Sequence, residues 1–252
     1  MPITANTLYR DSINFLKHQL LNIVILSVLA ALVTTLLGHV FMPNDEQLNL
    51  LAEMQNIVRE SGNTGIQRFV GQLTPDEISM LVHTVFGIFF INVFGNALLA
   101  ASILVLINAI SGGQQTNALH ACTSSVTLLP KMFLLMSICT LLVQIGYALM
   151  VLPGILFSIA FALAPVFLFE KSKSIFAAMQ SSWKLAFNNM RLLIPAMLLW
   201  LAAKLILVLV LAKMPDMLLS MLDNLLSSLL LIYLFRLYML ARPQNKTANG
   251  MQ

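Results

Sequence analysis

Long apolar runs separated by short polar breaks occupy most of this 252-residue chain. A hydrocarbon core of roughly 30 Å takes about 20 consecutive helical residues, and runs of that kind are predicted at about 20–41, 81–110, 129–151, 192–212 and 217–240. A sixth, at 153–169, is shorter, about 25 Å as a helix. The expected fold class is therefore all-α: a polytopic integral membrane helical bundle of about six transmembrane helices with amphipathic interfacial helices. One membrane domain is expected over 1–241, with a disordered polar tail at 242–252.

The stretch from Leu149 to Arg191 organises the rest. Leu152, Pro153 and Gly154 interrupt two apolar runs, which predicts a tight hairpin, because proline lacks a backbone donor and glycine tolerates turn conformations. After Phe169 the chain turns abruptly polar with Glu170, Lys171, Ser172 and Lys173, so it leaves hydrocarbon on the opposite face. From 174 to 190, Phe176, Met179, Trp183, Phe187 and Met190 recur at helical spacing, with Ser181, Lys184 and Asn188 elsewhere on the wheel. Such a helix lies in the membrane interface.

The other polar stretches are few. Residues 3–18 read as a short surface helix. The segment 43–80 is acidic, with Asp45, Glu46, Glu53, Glu60, Asp76 and Glu77 against Arg59 and Arg68. Thr74, Pro75, Asp76 and Glu77 match a capping box with proline at the first helical position, so a new helix is expected there. The span at 81–110 exceeds what one bilayer needs and should tilt or project.

Composition agrees with the pattern. Hydrophobic residues make up 59% of the chain and charged residues 10%, and mean hydropathy is +0.87. The net charge of +4 is dispersed among spans, which argues against a nucleic-acid surface. Arg10, Lys17, Lys131, Lys171, Lys173, Lys184, Arg191, Arg236, Arg242 and Lys246 fall on one side of a six-span threading, and Arg59, Arg68 and Lys213 on the other. The positive-inside rule places both termini in the cytosol.

Residues 152–155 (LPGI), a short span ending in APVFLFE, and AMQSSWKLAFNNMRLL after it resemble the YciC-type family of uncharacterised Gram-negative inner-membrane proteins. The opening ITANTLYRDSINF, GHVF at 38–41 and the closing LLIYLFRLYML are similar too. The central PGI to NNMR pattern also resembles, over about 45 residues, the membrane portion of bacterial glycerophosphodiester phosphodiesterases. The resemblance implies a bacterial inner-membrane protein linked to lipid or envelope biology, and it carries no catalytic residues across.

Candidate chemistry is sparse. Lys204 is an ionisable residue inside a span and needs a partner. Lys204 and Asp223 lie at equal distances either side of the turn between Lys213 and Met214, so an antiparallel hairpin pairs them. Gln144, Asn92 and Thr35 are expected to join them in an intramembrane polar layer. That layer reads either as a site for a small solute or ion in a transporter, or as a polar clasp between helices. Lys171, Lys173, Lys184 and Arg191 would sit in the negative surface potential of the inner leaflet and contact lipid headgroups. Tyr233, Arg236 and Tyr238 read as an interfacial anchor. No nucleophile–base pair, phosphate loop, cofactor motif or metal-spaced His/Cys cluster is present in the sequence, so a non-enzymatic role without cofactors is expected. Membrane lipids are the expected partners, and small-residue stretches allow a homo-oligomer as readily as internal packing.

Overall fold

The computed structural model describes residues 5–40, 47–54, 56–57, 60, 71–114, 116–171, 174–211 and 214–241. The turn at SGNTG, the tail 242–252 and Lys173 lie outside the described residues, within which no strand occurs. Six helical segments there are long and apolar enough to cross a membrane: Asn6–Val40, Pro75–Ser111, Leu129–Leu149, Val151–Glu170, Met190–Leu211 and Asp216–Ala241. The molecule is an all-α, polytopic helical bundle, as the hydrophobic pattern predicts.

The chain divides into two compact units, Val33–Phe94 and the remainder. The smaller contains the last turns of α1 (Ala5–Val40), α2 (described over 47–54) and the first half of α3 (Pro75–Ser111). The capping box forms at the start of α3. Thr74 donates its backbone N–H to Glu77 Oε2 at 2.7 Å and its hydroxyl to the same oxygen at 2.8 Å, and the Glu77 N–H returns to Thr74 Oγ1 at 3.4 Å. Orphan donors of a helix N-terminus are thereby satisfied reciprocally.

The larger unit holds the rest of α1 and α3 with α4 (Ala118–Ser125), α5 (Leu129–Leu149), α6 (Val151–Phe161), α7 (Ala164–Lys171), α8 (Ile175–Asn188), α9 (Met190–Leu211) and α10 (Asp216–Ala241). Two stretches are buried around nearly their whole circumference: Ala97–Ile107 on α3 and Leu231–Tyr238 on α10. Helices apolar on every side belong in a core or in lipid, and these two form the centre of the unit.

Tyr233 and Tyr238 are each only 2% exposed, which corrects the reading of them as interfacial anchors. Tyr233 packs at a tilt against Tyr9 of α1 with ring centroids 5.0 Å apart, and Tyr238 meets Phe167 of α7 edge-on at 4.9 Å. Aromatic burial of this kind outweighs the preference of a tyrosine for the interface when its hydroxyl finds a partner. The Tyr233 hydroxyl donates to the Leu192 carbonyl at 3.0 Å.

Local departures from the sequence pattern have local causes. The expected surface helix 3–18 and the first span follow one another across a kink at Gln19 (φ −115°, ψ 16°), with no loop between them, since neither proline nor glycine stands at the junction. The span expected at 153–169 is present as Val151–Glu170, with a short turn at 162–163 dividing it into α6 and α7, because Pro165 lacks an N–H and its ring crowds the carbonyl four residues earlier. Ser182 of α8 reaches this break and donates to the Ala160 carbonyl at 2.6 Å.

The hairpin between α5 and α6 turns on one residue, Met150, in an extended conformation (φ −162°, ψ 156°), with Pro153 and Gly154 already inside α6. Gly154 thus serves close approach of the helices instead of the turn. A methyl group at Gly154 would stand 2.5 Å from Tyr147 Cγ, and one at Gly146 would stand 2.8 Å from Phe157 Cδ2 and 2.9 Å from Gly154 Cα. The two glycines let α5 and α6 pack backbone to backbone, as small residues do between membrane helices.

Gly154→Ala should therefore push Tyr147 off α6 and destabilise the protein by about 1–3 kcal/mol, the usual cost of overpacking. Thermal unfolding in detergent, followed by size-exclusion chromatography, would show a lower midpoint; an unchanged midpoint would mean the helices separate freely.

Candidate functional site

The α9–α10 hairpin carries the most unusual chemistry. Pro215 opens α10, its carbonyl accepting from the N–H groups of Leu218 at 2.9 Å and Leu219 at 3.2 Å, and Asp216 places a negative charge at the positive end of the helix dipole. The antiparallel register brings Lys204 to Asp223. Lys204 Nζ is 2.8 Å from Oδ1 and 2.9 Å from Oδ2, so both carboxylate oxygens share the ammonium.

Each residue stands about seven positions, or roughly 10 Å, from the end of its helix nearest the turn. The side chains are 24% and 35% exposed, so the pair sits at the edge of the bundle. Lys204 Nζ also lies 4.5 Å from the centroid of the Trp200 ring, one turn earlier on α9. A cation against the face of tryptophan gains quadrupole attraction while the ring shields it.

The other residues expected in the polar layer lie on α5, α3 and α1. Gln144 is exposed on α5, a helix that packs on α6, α7 and α8. Asn92 and Thr35 belong to the smaller unit. The Asn92 amide donates to the Ile88 carbonyl of its own helix at 2.8 Å.

A residue that sequence reasoning missed extends the network within the larger unit. Asn224, next to Asp223 and 8% exposed, donates to the Ser27 carbonyl of α1 at 3.2 Å. Ser228 one turn on bonds the Asn224 carbonyl at 2.8 Å. The signal was available as an Asp–Asn pair inside an apolar span.

The second group of interest is α8. Ser174 caps it, accepting from the Ala177 N–H at 3.4 Å. Its inner face is mostly small: Ala178, Ser182 and Ala186 are buried with Met179, and the helix packs against α6 and α7. Its outer face leaves Phe176, Trp183 and Phe187 exposed. Trp183 stacks on Phe187 at 5.1 Å and meets Phe157 and Phe161 of α6 at 6.2 and 6.1 Å, so the aromatic patch continues across two helices.

Lys184 is exposed on α8 beside this patch, and Arg191 is exposed at the start of α9. Lys171 ends α7. The arrangement is an aromatic surface flanked by bases, the composition of a helix lying on a membrane.

A third feature, also unforeseen, is a cavity of about 360 Å³ where Arg236 faces the first turns of α1. Among the described residues, no group of three His, Cys, Asp or Glu side chains is placed to hold a metal ion.

Comparison with known proteins agrees with a membrane chain. A family model described as Uncharacterised protein family (UPF0259) matches residues 1–240. A UPF0259 membrane protein of Photorhabdus laumondii is 51% identical over 255 residues, covering 98% of this chain and 100% of its own length. UPF0259 membrane proteins of Yersinia pestis and Yersinia pseudotuberculosis are each 43% identical over 250 residues, covering 96% of this chain and 98% of their own. No solved structure matches.

Lys204→Met should strand the Asp223 carboxylate. The loss should fall between about 0.6 kcal/mol, the average for an intramembrane hydrogen bond, and roughly 3–5 kcal/mol for breaking a buried ion pair. Lys204→Met combined with Asp223→Leu should recover most of it. Detergent melts of the four proteins in a double-mutant cycle measure the coupling, and additive losses would show that the pair does not interact.

Proposed function

This chain belongs to the UPF0259 family of membrane proteins, and on that premise we propose that it is a non-enzymatic, multi-pass protein of the bacterial inner membrane that helps maintain envelope or lipid organisation. Both termini lie in the cytosol in this reading, and α8 rests on the inner leaflet. The observation that carries it is the outward face of α8, where Phe176, Trp183 and Phe187 are exposed beside Lys184.

An exposed aromatic face on a short helix, pinned to the bundle by its small-residue side, has a natural environment at the headgroup boundary. Tryptophan and phenylalanine enter the acyl region, and lysine and arginine remain with the phosphates. Each base near an anionic leaflet contributes about 1 kcal/mol, so Lys171, Lys173, Lys184 and Arg191 together would enrich anionic lipid beside the protein. The resemblance of this stretch to YciC-type proteins and to the membrane portion of glycerophosphodiester phosphodiesterases supports the same direction.

The Lys204–Asp223 pair favours a second reading, a small-solute or ion transporter. An ion pair at the bundle edge, covered by Trp200 and joined through Asn224 to α1, is equally the form a helix clasp takes. The clasp is our reading. Lys204→Met would then lower abundance, whereas a transport site would lose flux with abundance unchanged.

The lipid reading is checked by mass spectrometry of phospholipids that co-purify with the native protein in polymer-bounded nanodiscs. Changing Lys171, Lys173, Lys184 and Arg191 to Gln should cut the anionic share of bound lipid several-fold while total lipid holds. An unchanged anionic share would refute the role of α8.

A further inference from the structure

The cavity beside Arg236 is built from three helices that converge at one membrane face. Arg236 stands about one turn before the end of α10, Ile110 is next to the last residue of α3, and Asp11, Phe15 and Gln19 lie on α1 ahead of its apolar stretch. Its volume, about 360 Å³, falls in the range of about 300–1,000 Å³ typical of small-molecule sites. Because all three contributing segments adjoin the ends of spans, the cavity sits at headgroup depth.

Its charges are unspent. Arg236 Nε is buried without a hydrogen-bond partner, and the guanidinium is held 5.4 Å from the Phe15 ring centroid, its carbon lying over the ring. Stacking on an aromatic fixes a guanidinium while leaving its donors free for a planar or tetrahedral anion. Asp11 is exposed on the same wall, and among the described residues neither it nor Arg236 makes an ion pair.

The Asn14 side chain also lines the cavity, while His18 and Gln19 are engaged with neighbours. His18 Nδ1 is 2.7 Å from the Asn14 carbonyl, and Gln19 Oε1 accepts from the Asn22 amide at 2.8 Å. The Asn22 carbonyl oxygen of the side chain accepts in turn from the Ala118 N–H at 3.3 Å. This chain of bonds holds the wall at the point where α1 leaves helical geometry at Gln19. One unpaired cation and one unpaired carboxylate therefore line an open cavity.

We propose that this cavity binds the phosphoethanolamine headgroup of a phospholipid in the adjoining leaflet. The Arg236 guanidinium donates to the phosphate, a charge-assisted and geometrically specific pairing, and the Asp11 carboxylate accepts from the primary ammonium. A headgroup that is anionic throughout would meet the Asp11 charge with nothing to neutralise it. Selection for a zwitterion over an anion is thus an outcome of one added carboxylate. The site is independent of the basic residues at α8 and selects the opposite kind of lipid.

The test uses the full-length protein, stripped of lipid in dodecyl maltoside and titrated by thermal unfolding with dioctanoyl phosphatidylethanolamine, dioctanoyl phosphatidylglycerol and free O-phosphoethanolamine. Phosphatidylethanolamine should raise the midpoint at lower concentration than phosphatidylglycerol. Arg236→Gln should weaken that apparent affinity by about tenfold or more, as for loss of a hydrogen bond to a charged group.

Asp11→Asn guards against a folding defect, because Asp11 is exposed. It should retain binding but make the two lipids equivalent. Equal response to both lipids in the native protein, a preference that survives Asp11→Asn, or an undiminished shift in folded Arg236→Gln would each overturn the proposal. A full shift from free O-phosphoethanolamine would assign the site to a soluble phosphate compound and overturn its assignment to lipid.

Discussion

Hydrocarbon offers no hydrogen-bond partner, and the arrangement of this protein follows from that constraint. Several polar groups carried into the spans are met by another part of the chain. At the break between α6 and α7, the Ala160 carbonyl is met by Ser182 of α8. Near Pro195, which removes a backbone donor from α9, the Leu192 carbonyl is met by Tyr233 of α10. Asn224 meets the Ser27 carbonyl of α1, and Lys204 meets Asp223. An intramembrane hydrogen bond averages only about 0.6 kcal/mol, so these contacts act chiefly by selecting which helix faces which.

Helix α10 collects most of these contacts. Its second half is buried against α1, α7 and α9 through Tyr9, Phe167 and Leu192, and its first half carries the ion pair and Asn224. Near its end, Arg236 keeps a buried Nε without a hydrogen-bond partner, beside residues of α1 and α3. The same division appears on α8, whose small residues face protein while its aromatics and bases face outward. In both places the surface left exposed is what remains after packing has used the other face.

Much of this was legible in the chain because it depends on spacing. The number of apolar helices follows from run length, the Thr74–Glu77 box from a three-residue interval, and the Lys204–Asp223 pair from equal distances to one turn. What could not be read depends on neighbours distant in sequence. Gly154 is read from sequence as a turn residue, yet its role is set by Tyr147 pressing on it from α5. Tyr233 and Tyr238 have the composition of an interfacial belt, but α1 and α7 cover them. The cavity at Arg236 draws on residues more than two hundred positions apart, and neither half looks like a site alone.

The claim beneath all of this is that the larger unit is threaded through lipid with α8 and the Arg236 cavity on the cytosolic side and the Met150 and Pro215 turns on the other. Single cysteines at positions 11, 152, 184 and 216, in a chain with Cys122 and Cys139 changed to Ser, can be probed with a membrane-impermeant maleimide on intact spheroplasts. The account predicts labelling at 152 and 216 before lysis, and at 11 and 184 only after it. Labelling of 11 or 184 on intact spheroplasts, with 152 and 216 protected, would contradict it.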